Sequence, residues 1–200
     1  MARLPLTKAS LTKEKALLRT FHDVLPSLDM KRRQIGSERE KARRQLAEAT
    51  RQAAAIEPDV AARLPMVANQ AIPLQELVAI SSLEIGEENL MGTRLPVLRS
   101  LEFRVSPYGV LTRPFWVDAL VVVLKAALEA EIHLQVARRR LERLEAAERI
   151  VTQRYNLFDK VLIPRARTNI RRISIYLADA ERAGVVNSKI AKRKKERQAP

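Results

Sequence analysis

The sequence has no cysteine, only five glycines, and only one Trp, three Tyr and four Phe among its 200 residues. Without cysteine the chain can form no disulfide bond, thiolate metal site or cysteine nucleophile. The scarcity of aromatic side chains argues against an ordinary globular core, because these side chains usually supply much of the buried area. A hydrophobic content of 46% is nevertheless too high for a disordered chain. Ala, Leu, Arg, Glu and Val dominate the composition, which is typical of long helices.

Long apolar runs are also missing. The most apolar stretch, residues 117–128, is short and carries Asp118 and Lys125. A membrane-spanning helix needs about 20 mostly apolar residues, so this stretch predicts a buried helix segment and no direct membrane span. Residues 1–11 hold no apolar run long enough for a signal peptide.

The sequence lacks the motifs of catalytic sites. Its two histidines, His22 and His133, lie far apart and have no ligand partner at metal-binding spacing. Neither a phosphate-binding loop nor a nucleophile elbow is present, and a turn accounts for the adjacent carboxylates Glu87 and Glu88. We therefore predict no catalytic residue, no metal site and no cofactor.

Six of the ten prolines and three of the five glycines lie between residues 58 and 114. Since these residues interrupt helices, we predict an N-terminal helix over 8–57, a connector over 58–114, a C-terminal helix over 115–183 and a basic tail over 184–200. Helices of this length do not fit a globular domain of this size, so the expected fold is an all-α, rod-like antiparallel pair. In the connector we expect a short helix over 73–79 and a small β-hairpin of 101–105 with 110–112.

Apolar residues recur at alternating steps of three and four along both helices, which is the spacing of a coiled-coil seam. In the N-terminal helix the predicted seam comprises Leu11, Leu18, Phe21, Leu25, Leu28, Ile35, Leu46 and Ile56. In the C-terminal helix it comprises Leu141, Leu144, Val151, Tyr155, Phe158, Leu162, Ile173 and Leu177.

Several residues predict where these helices begin, bend and end. Ser10 or Thr12 is expected to cap the first helix, and Pro26 to bend it or break one turn. Pro58 is expected to end this helix. In the second helix, Pro164 predicts a kink and Gly184 a C-terminal cap. Gly36 is expected to weaken the first helix by roughly 1 kcal/mol.

The net charge of +14 is unevenly distributed. Residues 1–56 carry 13 basic and 6 acidic side chains, whereas residues 57–91 carry 1 and 6. Residues 182–200 carry 7 basic side chains and 1 acidic one. If the helices are antiparallel, both basic ends of the chain meet at one end of the rod. The predicted basic end comprises Lys189, Lys192, Arg193, Lys194, Lys195 and Arg197.

The connector segment 89–96 reads Asn-Leu-Met-Gly-Thr-Arg-Leu-Pro, and the segment 151–165 contains an internal Leu-Ile-Pro. The first resembles the Asn-x-Met-Gly-x-x-x-Pro motif, and the second a C-terminal helix segment, of the D-subunit family of V-type and A-type rotary ATPases. The matching residues are Asn89, Met91, Gly92, Pro96, Gln153, Arg154, Asn156, Ile163 and Pro164. The resemblance covers nearly the whole chain in order, although Pro26, Gly36 and the proline-rich residues 58–73 depart from the family's pattern.

The resemblance implies a non-catalytic central-stalk axle whose terminal helices form a left-handed coiled coil. The implied partners are the catalytic A and B subunits, the F subunit on the stalk, and the C subunit (d in eukaryotes), which links the axle to the membrane rotor ring. The implied role is coupling of ATP synthesis or hydrolysis to proton or sodium translocation. The implied location is the cytoplasmic face of the membrane, as a peripheral part of a membrane-bound complex.

Two other functions fit parts of the sequence. A stand-alone coiled-coil adaptor would share the seam, and a nucleic-acid-binding coiled coil would share the positive charge. No stacking aromatics are interleaved with the basic tail, so base recognition is unsupported and nucleic acid is not a predicted partner.

Overall fold

The structure is a computed structural model that describes residues 4–65, 77–107 and 116–198. Helix α1 spans Lys8–Arg63, strands β1 and β2 span Val78–Leu90 and Thr93–Val105, and helices α2 and α3 span Trp116–Leu157 and Ile163–Gln198. A π-helical turn, Phe158–Leu162, joins α2 to α3. Two long helical segments with a small hairpin between them confirm the predicted all-α class.

Helix α1 begins at Lys8, and its N-cap lies three residues before Ser10, the earlier of the two predicted caps. The hydroxyl oxygen of Thr7 accepts a hydrogen bond from the backbone N–H of Ser10 at 3.2 Å. This is the geometry of an N-cap, which satisfies one of the donors left free in a first helical turn. The prediction that Ser10 or Thr12 caps the helix is therefore wrong, because both residues lie inside α1 and Thr7 occupies the cap position.

Two prolines that were expected to interrupt α1 lie inside it. The helix is unbroken through Pro26 and continues past Pro58 to Arg63, so the predicted break and the predicted end at Pro58 are wrong. Both prolines are exposed. On an exposed face, water can satisfy the carbonyl that a proline leaves without an N–H donor, which lowers the cost of keeping the helix.

The helical segment changes its winding just before Pro164. Over Phe158–Leu162 the helix widens to a π turn, and the N–H of Ile163 donates to the carbonyl of Phe158. A proline ring collides with the carbonyl four residues earlier in a regular α-helix, which here belongs to Lys160. The wider turn relieves that collision. The sequence therefore predicted the place of the irregularity correctly, but the irregularity is a π turn and not the expected kink.

Helix α3 continues through Gly184 to Gln198, so the predicted cap at Gly184 and the predicted end at residue 183 are wrong. An αL cap needs a positive φ, and among the described glycines only Gly92 has one. The strong helix formers Ala, Glu, Arg and Ala precede Gly184 at 180–183, and a single glycine in a helix costs only roughly 1 kcal/mol.

The hairpin lies earlier in the chain than predicted. Strand β1 pairs antiparallel with β2 from Val78 opposite Val105 to Leu90 opposite Thr93. Val78 and Ala79 are therefore strand residues, not the end of a helix, and Glu87 and Glu88 lie within β1 and not in a turn. Residues 101–105 are paired with residues 78–83 of β1. The remaining residues of the two connector predictions, 73–76 and 108–112, lie outside the described chain.

The two-residue turn at Met91 and Gly92 has φ values of 50° and 80°. Positive φ at both central residues is what a type I′ turn requires, and this turn matches the twist of the flanking strands. The side-chain oxygen of Asn89 accepts a hydrogen bond from the N–H of Gly92 at 2.8 Å. The connector motif thus forms the tip of the hairpin.

Two glycine substitutions should have opposite effects on stability. Gly92→Ala is expected to destabilise the chain by about 1–2 kcal/mol, because a Cβ is unfavourable at its positive φ. Gly36→Ala is expected to stabilise it by up to about 1 kcal/mol. The new Cβ at residue 36 would lie 3.5 Å from Glu148 Oε1, an ordinary contact distance. Thermal unfolding of both variants measures the difference, and equal shifts would contradict the assigned turn.

The chain divides into two compact units. The first contains Met1–Arg32 with Val151–Pro200, and the second contains Arg33–Ile150. In the second unit, Leu64, Leu77, Val117 and Leu120 form an apolar cluster at the base of the hairpin. Within the described ranges, none of the helices combines the length and apolar character needed to cross a membrane.

Candidate partner-binding surfaces

In the first unit, α1 lies antiparallel to the segment that runs from the end of α2 into α3. Phe21 meets Phe158 edge-to-face with ring centroids 5.5 Å apart, and the Arg32 guanidinium lies 4.3 Å from the centre of the Tyr155 ring. Further along, Lys8 lies 3.6 Å from Glu181. From Lys8 to Phe21 to Arg32 the residue numbers along α1 increase, while those of the contacting residues decrease from Glu181 to Phe158 to Tyr155. The two helical segments therefore run in opposite directions.

The motif residues of the C-terminal helix divide between the core and the surface of this unit. Ile163 is buried and Asn156 half-buried, whereas Gln153, Arg154 and Pro164 are exposed. The buried residues Val151, Ala166 and Ile173 complete the inner face. The exposed motif residues are therefore available to a partner.

In the second unit, the side chains of Ile35 and Leu144 have no exposed surface and Ala42 has 2%. Arg39 and Glu148 form an ion pair between α1 and α2 in the same unit, with Arg39 Nη1 donating to Glu148 Oε2 at 2.6 Å. Taking both units separately, every predicted seam residue is buried or half-buried.

Arg39 also holds a carboxylate of its own helix. Its Nη2 donates to Glu40 Oε1 at 2.6 Å, and this hydrogen bond lowers the pKa of the Glu40 carboxyl below its ordinary value. A carboxyl with a lowered pKa stabilises the folded state above its unfolded pKa, and that contribution is lost as the pH falls through its folded pKa.

The variant Glu40→Gln should therefore melt at a lower temperature than the parent chain at neutral pH. The difference between the two melting temperatures should shrink as the pH falls below about 4.3, the ordinary pKa of a glutamate, and then vanish. Melting curves between pH 7 and pH 3 test this. A difference that stays constant over that range would show that the Glu40 charge makes no contribution to stability.

Two arginines of α2 hold the tip of the hairpin. Arg140 Nη2 lies 3.0 Å from Glu88 Oε2. Arg143 Nη1 donates to the backbone carbonyl of Arg94 at 3.0 Å and lies 3.6 Å from Glu87. Pro96, two residues after Arg94 in β2, is buried. Nothing in the sequence places β1 beside α2, so these contacts were not predicted.

One face of the hairpin carries apolar side chains that are not fully covered. Ile80, Leu83 and Ile85 are 38–42% exposed, and they lie opposite Phe103, Leu101 and Leu98. Residues directly opposite in a ladder share a face. Exposed apolar side chains that form a contiguous patch are typical of binding surfaces, and we call these six residues the hairpin face.

A groove of about 460 Å³ lies between α1, β2 and α2 in the same unit. Ala49, Val136 and Ala137 contribute its apolar helical walls, and Pro96 and Leu98 its strand wall. Leu98 belongs to the hairpin face as well, so the groove and this face are continuous. Glu48, Arg140 and the exposed His133 contribute polar groups to the groove.

The end of α3 extends beyond the start of α1. Lys8 is the first residue of α1 and contacts Glu181, so residues 182–198 run on for about 25 Å at 1.5 Å per residue. Residues 182–195 are all exposed. The predicted basic-end residues lie here, together with Val185, Val186 and Ile190, which are 50–56% exposed. We call residues 182–198 the basic extension.

The described residues contain no cluster of three or more His, Asp or Glu side chains suited to holding a metal ion. His22 lies 3.4 Å from Arg167 Nη2, and His133 lies 3.9 Å from Glu129. Both histidines are exposed and sit on helices.

The family model for the ATP synthase D subunit matches residues 10–193. The V-type ATP synthase D subunit of Borreliella burgdorferi is 30% identical over 192 residues, which cover 96% of this chain and 95% of the relative. The V-type ATP synthase D subunit of Chlamydia muridarum is 31% identical over 195 residues, covering 96% of both. With a match that runs from the first helix into the basic extension, the chain belongs to the ATP synthase D-subunit family.

Proposed function

We propose that this chain is the central rotor axle of a V/A-type rotary ATPase and mechanically couples its catalytic A and B subunits to ion translocation. The single observation that carries this proposal is the family match over 10–193. The antiparallel helix pairing in each unit and the basic extension of α3 support it.

An axle performs no bond chemistry in this mechanism. It presents a different side to each A/B pair as it turns, and each side favours a different open or closed state of the catalytic site. Only contacts that differ between those states can shift their populations. The proposed asymmetry comes from unlike faces of the chain, with the hairpin anchored by Arg140 and Arg143 on one side of α2.

The basic extension is the proposed contact with the A/B ring. Arg182, Lys189 and the basic residues 192–195 are exposed there, so an acidic collar in the ring would attract them. The exposed Val185 and Ile190 would meet an apolar lining. A surface of mixed charged and small apolar groups makes no single deep contact with the ring, so it would not trap the axle at one rotation angle.

The groove and the hairpin face are the proposed site for the F subunit on the stalk. They combine a continuous apolar floor with polar groups from Glu48, His133 and Arg140, which is the composition of a typical protein interface. The C subunit, or its eukaryotic counterpart d, is proposed to link the axle to the membrane rotor ring, so the chain would be a peripheral part of the complex at the cytoplasmic face.

Co-expression of the tagged chain with the A, B and F subunits of the same organism tests the proposal. We expect an A/B hexamer to co-purify with it, and F to be lost from the complex when Leu83 and Ile85 are both replaced by Asp. A matched control is Ile150→Asp, at an exposed apolar position elsewhere on the chain. Failure to recover any A/B hexamer, or recovery of the chain bound to duplex DNA at physiological salt, would contradict the axle.

A further inference from the structure

One pair of charges interrupts an otherwise apolar seam in the second unit. Along α1, Arg39 lies between Ile35 and Ala42 at the spacing that places all three on one helix face, and both neighbours are buried. On α2, Glu148 follows the fully buried Leu144 by one turn. Each charged residue occupies a position where the periodicity calls for an apolar side chain.

The contacts of this pair are incomplete. Arg39 donates one hydrogen bond to Glu148 and one to Glu40, both at 2.6 Å. Its Nε is buried and has no hydrogen-bond partner in the described part of the chain. The side chains of Arg39 and Glu148 keep only 30% and 22% of their surface exposed. Replacing a largely buried ion pair by apolar residues of similar size usually leaves stability unchanged or raises it. A need for stability therefore does not explain why the pair is there.

From this geometry we infer that the Arg39–Glu148 pair fixes the sliding register of α1 against α2. A seam of interchangeable Leu, Ile, Val and Ala side chains has similar contacts after a shift of one heptad, because the pattern repeats. A polar pair at one seam level breaks that equivalence, as single polar seam residues do in coiled coils. The inference concerns the chain itself and does not depend on the proposed rotor function.

A one-heptad slide in either direction would separate the two charges. In one direction Arg39 comes opposite Leu141, while Glu148 comes opposite the basic Arg32. In the other direction Glu148 comes opposite Leu46. Leu141 and Leu46 are half-buried apolar residues of the same unit as the pair. Each slide therefore leaves one of the two charged groups against an apolar side chain without a counter-ion on the facing helix, which is unfavourable. Of the three registers, only the observed one gives Arg39 a carboxylate on the facing helix.

A distance measurement between two spin labels tests the register directly. The chain contains no cysteine, so Ser37→Cys and Gln135→Cys provide two unique labelling sites, both exposed and both in the second unit. They are far apart along the helix axis, so a slide of about 10 Å, one heptad at 1.5 Å per residue, changes their separation by several ångströms. The full-length chain should give one narrow distance distribution.

The decisive variant is Arg39→Leu combined with Glu148→Leu. We expect it to remain helical and to melt at the same temperature as the parent or higher, while a second distance appears or the distribution broadens by several ångströms. The charge-exchanged variant Arg39→Glu with Glu148→Arg should restore one narrow distance. The matched control, Arg51→Leu with Glu48→Leu, removes an exposed ion pair within α1 and should leave the distance unchanged.

A single narrow distance in the leucine variant would overturn the inference, since the apolar seam would then define the register without the pair. It would also be overturned if the charge-exchanged variant showed two distances, because the exchanged pair has the same seam level. If the leucine variant aggregates, the charge-exchanged variant and the single variant Arg39→Gln decide the question. The former should keep one distance, and the latter should show a second one at a lower melting temperature.

Discussion

Replacing both Leu144 and Val151 by Asp is expected to unfold the paired helices. Leu144 has no exposed surface and Val151 has 5%. Removing the buried atoms of one such residue costs about 2–5 kcal/mol, and burying a carboxylate in place of an apolar group adds several more. The sum reaches the whole stability of a typical domain, about 5–15 kcal/mol. Far-ultraviolet circular dichroism and thermal melting should show a large loss of helix and of cooperativity.

The matched control for this experiment is Ile150→Asp combined with Leu157→Asp. These residues lie on the same helix, but their side chains are 48% and 47% exposed. Because an exposed carboxylate stays hydrated, the control should melt within a few degrees of the parent chain. If the Leu144 and Val151 variant melted like this control, the assignment of these two residues to the seam would be wrong.

Deleting Lys189–Pro200 is expected to weaken assembly with the A and B subunits by at least about tenfold while leaving the remaining helices folded. The truncation removes six of the basic side chains of the extension, and the attraction of several charges to an acidic partner sums to this size at physiological salt. Residues 189–195 are all exposed, so their removal takes no buried side chain from the core of either unit. Binding to the A/B ring and coupled ATPase activity provide the measurements.

Two variants separate the charge of the extension from its length. Replacing Lys189, Lys192, Lys194 and Lys195 by Gln keeps the helix but removes four charges, and it should reproduce most of the effect. Replacing Val185 and Val186 by Ala instead tests the apolar contribution. Unchanged ATPase activity and ion pumping in the truncated chain would refute a role for residues 189–200 in coupling.

The long helices could be read from the sequence because the seam repeats over many turns. Each apolar position from Leu11 to Ile56 adds independent support for one periodicity, so a single proline or glycine does not hide it. The effect of the prolines on this helix was predicted less well. Pro26 and Pro58 were expected to disturb α1, yet both lie on an exposed side where water replaces the missing donor.

The hairpin was harder to predict because its ladder is irregular. The apolar residues of the hairpin face are spaced by three and then two in β1, at Ile80, Leu83 and Ile85, since the register shifts near Ser82 and again near Ile85. Such shifts destroy the strict alternation that identifies a strand. The Asn89 to Gly92 segment held the turn signal, but the prolines and glycines that follow suggested a turn further along.

The sequence by itself determined the helical class, the location of the irregularity near Pro164 and the concentration of positive charge at the chain ends, because these depend on local periodicity and composition. Only the tertiary structure decided which charges meet. Arg39 and Glu148 lie 109 residues apart, and Arg140 and Arg143 reach a hairpin tip about 50 residues away. Pairing at such separation depends on helix register and on how the hairpin packs, and no local pattern encodes either.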